Sequence, residues 1–121
     1  MSVPTPGSGG SLPRIRGTQK GLRNPGSIDG LKADMLSGRY EFQSPREQIG
    51  GVVDQRGTYH IGEGHHRMVA AMEIYQETGN PTYVQLLVQW GLWTEVNRPP
   101  VDSRPLPSRT WWGAFRNWLG F

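Results

Sequence analysis

Apolar residues recur three to four apart along two stretches of this chain, and each stretch predicts a helix. In the first, Ile28, Leu31, Met35 and Leu36 fall on one side, so the helix should pack on a core. Ser27 or Asp29 is placed to cap its start, and Gly38 to end it. In the second, residues 66–78, Met68, Met72 and Tyr75 form a stripe with Ala71, while Glu73 and Glu77 fall on the outer side. Gly79 and Pro81 stop it. Elsewhere the period shortens to two. Leu12 to Arg16 alternates and predicts a strand. Ile49 to Asp54 and Thr58 to Gly62 predict a hairpin across Gln55-Arg56-Gly57, where glycine supplies the positive φ such turns need. Gly50-Gly51 allows close approach of backbone or ligand. Thr82 to Trp90, β-branched and aromatic, predicts a last strand. Ser44-Pro45 predicts the start of a brief helix with Glu47 as its early acid.

Polar, glycine-rich and proline-rich segments frame these elements. Residues 1–13 read as a flexible linker, 14–96 as the main domain, and 97–121 as a Pro-rich arm leading to a Trp-rich terminal helix. Thr110 is placed to cap that helix, in which Trp111, Phe115 and Trp118 share a face that should cover the core. Together the elements make an α/β (α+β) fold, a small mixed sheet with short helices.

At 121 residues the chain makes one domain with a modest core. Its 17 glycines and 10 prolines favour turns and short elements. With no cysteine, disulfides and thiolate metal sites are excluded. No stretch is long and apolar enough to span a bilayer, so no membrane contact is expected. The start of the chain lacks the pattern of a secretion signal, so delivery is expected to depend on a larger parent protein.

The net charge of +3 is unevenly spread: residues 1–28 carry +4, residues 29–96 carry −4 from five bases and nine acids, and residues 97–121 carry +3. Eleven of the 13 bases are arginine, whose planar fork suits phosphate. Two basic ends could grip a polyanion around an acidic centre.

The chemistry concentrates in Tyr59-His60-Ile61-Gly62-Glu63-Gly64-His65-His66-Arg67, which holds all three histidines. It reads as strand, glycine-flanked turn and helix start. Amides at a helix start lack intrahelical partners and attract anions. Glu63 can hold a metal ion or take a proton. His65 and His66 diverge by about 100° and cannot face the same way. For His60 the strand alternation decides the face, and a structural role is as reasonable as a functional one.

The motif Glu63-Gly64-His65-His66-Arg67, with Ala70-Ala71 in the next turn, resembles the signature of the ParB/sulfiredoxin superfamily. Arg14-Ile15-Arg16-Gly17-Thr18-Gln19 resembles the first strand of ParB-like domains. Leu31 to Gly38 resembles their short helix, and Pro81 to Val88 their last strand. The likeness spans about residues 14–90. Members of the superfamily bind or hydrolyse CTP, use ATP to reduce a sulfinate or phosphorylate serine, or are described as nucleases. Without cysteine, a sulfiredoxin-like thiol mechanism is ruled out. No helix-turn-helix module follows the motif, in contrast to chromosome-partitioning ParB proteins. Isolated modules of this kind resemble C-terminal toxin domains of bacterial Rhs-type polymorphic toxins.

What the resemblance implies is a toxin domain carried by a secreted effector into the target-cell cytoplasm and paired with a cognate immunity protein. Its expected activity is a metal-assisted DNase. Glu63 would hold a divalent ion, with Mg2+ favoured, His65 or His66 would activate water, and Arg67 would stabilise transition-state charge. Gly64, Thr18, Gln19 and Arg46 would contact phosphate or nucleic acid. A nucleotide-dependent enzyme using ATP or CTP at the same site is the alternative. An HNH-type nuclease ranks lower, because no histidine follows His66.

Overall fold

The structure is a computed structural model that describes residues 12–109. Its elements follow in the order β1 (Arg14–Arg16), α1 (Ser27–Ser37), β2 (Gly50–Val53), β3 (Thr58–Glu63), α2 (His65–Thr78), α3 (Thr82–Trp90) and β4 (Leu92–Glu95). The sheet runs β1-β3-β2-β4, with β2 and β3 antiparallel and both outer pairings parallel. This is a small mixed α/β domain, as the hydrophobic pattern predicts at that level.

Alternation along β3 decides what lies on each side of the sheet. Tyr59 and Ile61 join Ile15, Val53 and Trp93 in a core with Ile28 and Met35 of α1, Met68, Ala71 and Ile74 of α2, and Val84, Leu87 and Val88 of α3. Each large side chain sealed there contributes about 1.5–3 kcal/mol. The opposite side of β3 presents Thr58 and His60, and both are buried as well. The hairpin turn forms as predicted, with Gly57 at φ 81°. α1 and α2 end at Gly38 and Gly79, both left-handed.

Several expectations are corrected. Thr82–Trp90 is a helix, not a strand, and the strand follows at Leu92–Glu95. Val84, Leu87 and Val88 sit three to four apart and seal against the core, so packing overrides strand propensity. Ser44–Gln48 is a turn: the Glu47 and Gln48 amides both donate to the Ser44 carbonyl and no helix propagates. Neither Ser27 nor Asp29 caps α1, whose N-cap is Gly26. The Ser27 hydroxyl donates to the Asn24 carbonyl, and Asp29 pairs with Arg109.

Glu73 is not on the outer side. It is 4% exposed, held by Lys32 from α1 at 3.1 Å and by Arg109 at 2.7 Å. Burial works against the Lys32 charge, but bonds to Glu77 and Glu73 outweigh it and leave the pKa raised.

After β4 the Pro-rich arm turns back to β1. Gly17 and Arg104 exchange both backbone hydrogen bonds, at 2.8 and 2.9 Å, and Leu106 enters the core. Most of the predicted linker (residues 1–11) and the Trp-rich helix after Thr110 lie outside the described residues. No helix among the described residues is long and apolar enough to cross a membrane.

Candidate functional site

The change from β3 to α2 turns on one residue. Gly64 adopts φ 101°, a left-handed conformation that side chains disfavour. A Cβ there would also stand 2.3 Å from Ile49 Cγ2. Glycine is therefore required twice over, by torsion and by space. No side chain caps the helix that follows, and its first intrahelical bond runs from the Met68 amide to the Gly64 carbonyl.

His65 and His66 diverge as adjacent helical residues must, yet both end on the β1–α1 loop. His65, 4% exposed, accepts the Thr18 amide proton at Nε2 over 3.1 Å. His66 accepts the Asn24 amide at Nε2 over 3.0 Å. The Thr18 hydroxyl donates to the Ile61 carbonyl, 2.9 Å away. The two rings thus staple residues 18–24 across the helix start. Their Nε2 lone pairs are committed, so the expected general-base role does not fit this arrangement. Burial, then the neighbouring His66, pushes the His65 pKa below its ordinary value of 6.5 and favours the neutral acceptor this bond needs.

Arg67 is tethered too. Its Nη2 donates to the Arg46 carbonyl at 3.0 Å, and its Nε lies 3.5 Å from the Glu47 carboxylate. Arg46 thus meets Arg67 through its backbone, and its side chain is exposed. The same turn anchors Tyr40, whose hydroxyl donates to the Glu47 carbonyl. Burial raises the Tyr40 pKa, partly opposed by Arg67. Gln19 is half-buried on the stapled loop, followed by exposed Lys20 and Arg23.

Glu63 alone among the predicted catalytic residues is exposed. It stands on a hollow of about 460 Å³ lined by Pro45, Gln48, Ile49, Gly50, Gly51, Gly62 and Leu92. Three glycines make much of that wall bare backbone. A Cβ on Gly51 would sit 2.0 Å from the His60 carbonyl oxygen, so side chains are excluded there. No group of three His, Cys, Asp or Glu side chains placed to hold a metal ion occurs among the described residues. Glu63 could serve Mg2+ only as that ion is often held, by one carboxylate with waters and substrate phosphates. Across the 43–48 turn lies a second hollow, about 570 Å³, lined by Tyr40, Glu41, Phe42, Gln43, Ser44, Leu86 and Trp90.

Sequence reasoning missed one constellation. His60 is 2.8 Å from Asp54 Oδ2 through Nε2 and 2.8 Å from Ser103 Oγ through Nδ1. Arg16 Nε reaches the same Ser103 oxygen at 2.9 Å. Asp54 sits at the hairpin turn as a residue that favours turns, and that local signal was available. Ser103 lies 43 residues beyond His60 in the arm, and no local pattern links them.

No family model matches the chain, and comparison with curated proteins and with solved structures finds no match.

Proposed function

We propose that this domain cleaves phosphodiester bonds in nucleic acid, with DNA as its substrate, as the toxin part of a larger secreted Rhs-type effector. The toxin context, with its immunity protein, rests on the resemblance of Glu63-Gly64-His65-His66-Arg67 to ParB-like modules. One structural observation carries the chemistry: an uncapped helix start lies between exposed Glu63 with its glycine-walled hollow and a basic loop that two imidazoles hold in place.

In this reading the first amides of α2, with Lys20 and Arg23 from the stapled loop, attract a substrate phosphate. Arg46 extends the basic surface from the neighbouring turn. Glu63 orients the attacking water and accepts its proton. His65, His66 and Thr18 fix the loop, and Arg67 fixes the 44–47 turn; all four are positioning residues. A divalent ion such as Mg2+ at Glu63 would supply Lewis acidity and a more acidic bound water.

A nucleotide-dependent reaction with ATP or CTP is the second reading. Its support is the larger hollow, whose lining includes the exposed ring of Trp90, on which a base could stack.

The test pairs incubation of supercoiled plasmid, single-stranded DNA and RNA, with Mg2+ or EDTA, with ATP and CTP hydrolysis assays. Metal-dependent nicking that disappears in a folded Glu63→Ala variant is the expected result. Nucleotide turnover with intact plasmid favours the second reading, and full cutting by Glu63→Ala removes that carboxylate from the reaction.

A further inference from the structure

On the side of β3 opposite the core, four polar groups form a chain that the phosphate site at Glu63 does not use. Asp54 Oδ1 accepts the amides of Arg56 and Thr58 at 2.9 and 3.1 Å. Its Oδ2 meets His60 Nε2, the other ring nitrogen meets Ser103 Oγ, and Arg16 Nε meets that oxygen from the far side. The hydrogen bond from His60, then the Thr58 and Arg56 amides, outweigh burial and hold the Asp54 carboxyl below its ordinary 3.8.

With the His60 ring neutral, the donors and acceptors leave one way to place the protons. A carboxylate only accepts, so Nε2 of His60 carries hydrogen. In a neutral ring Nδ1 is then the acceptor, and Ser103 must donate to it. Arg16 only donates, so it supplies its proton to the serine oxygen. Ser103 therefore hands its proton to an imidazole whose tautomer is fixed by a carboxylate, while a guanidinium faces the oxygen where negative charge would develop. His60 is 2% exposed, and the two ends, Ser103 and Arg16, are half-buried. Water is excluded from the middle of the chain but not from its reactive end, which strengthens each charge interaction within it.

We propose that Ser103 is a nucleophile, activated by His60 and Asp54, that attacks anionic phosphoesters. The substrate class follows from the charges around it. Arg14 shares the face of β1 with Arg16, Arg104 adjoins Ser103, and Arg56 lies in the hairpin turn, its carbonyl held by Arg14. Of the acids nearby, Asp54 is bound within the chain and Asp102 precedes Ser103.

In the step, Ser103 Oγ bonds to phosphorus as the bond from phosphorus to the leaving oxygen breaks. The serine proton passes to His60 Nδ1 and on to the leaving oxygen. Water then attacks the phosphoserine, yields a proton to His60, and the bond from phosphorus to Oγ breaks as Ser103 regains its hydrogen. The inference stands apart from the reaction proposed at Glu63, because it needs neither that carboxylate nor a metal.

A fluorophosphonate probe applied to the purified protein, followed by intact mass and peptide mapping, provides the test. The expected result is a single adduct on Ser103, formed equally in EDTA, and slowed at least about a hundredfold in His60→Gln. Hydrolysis of bis(p-nitrophenyl) phosphate should disappear in Ser103→Ala while circular dichroism stays native. Absence of an adduct on Ser103 in the folded wild-type protein overturns the proposal, whatever the variants do. Equal labelling of folded His60→Gln overturns it too. Preference for p-nitrophenyl acetate over the phosphodiester overturns the substrate class.

Discussion

The three histidines divide between two regions that use the same ring in opposite ways. At the β3–α2 turn, His65 and His66 each spend Nε2 on a backbone amide of a loop. In the middle of β3, His60 has a carboxylate on one nitrogen and a hydroxyl on the other. An imidazole whose lone pair meets an amide holds structure, because an amide proton does not transfer. An imidazole between a carboxylate and a hydroxyl sits on a path along which a proton can move. The conspicuous doublet is therefore the anchor, and the inconspicuous single histidine has the reactive surroundings.

Substitutions can break this contrast. The largest effect is expected from Gly64→Ala, which combines torsional strain with a clash against Ile49. We expect a loss of about 3–5 kcal/mol, read by urea denaturation. His60→Ala should cost about 3 kcal/mol, because it opens a buried gap and leaves its polar partners unpaired. His65→Ala should cost about 2 kcal/mol and His66→Ala about 1 kcal/mol, with faster hydrogen exchange confined to residues 17–25 in both. A global loss of exchange protection in His66→Ala would show that the loop is not a separate unit.

Changing pH sharpens the same contrast. The His65 pKa is depressed on folding, so the unfolded chain takes up a proton first. Its contribution is complete above the ordinary 6.5 and declines as pH falls below it. The Asp54 carboxyl is also depressed, and its contribution persists until pH falls below the ordinary 3.8. Amide exchange at Thr18, which is bonded to His65, should therefore accelerate in mild acid, before that of Arg56 and Thr58. Simultaneous release of all three amides would break the distinction.

The hairpin, α1 and α2 were legible because their signals are local: apolar spacing plus glycines at the turn and the helix ends. The Thr82–Trp90 segment was not, since five of its nine residues are β-branched or aromatic and satisfy a strand propensity until tertiary packing decides. Glu73 looked outward-facing from its helix alone, but Lys32 and Arg109 reach it from elsewhere. At the candidate site, the Glu63-to-Arg67 run was legible as a strand-to-helix turn. What each ring bonds to depends on a loop some 40 residues earlier, and no spacing rule within the motif could supply it.

Arg16 and Ser103 are 87 positions apart, so their meeting closes most of the described chain into a ring. Contacts of such long range carry a large entropy of closure and form late in folding. Until then the serine lacks both its base and its arginine. A nascent or threaded polypeptide would be chemically silent at that oxygen, gaining reactivity only when its distant segments have met.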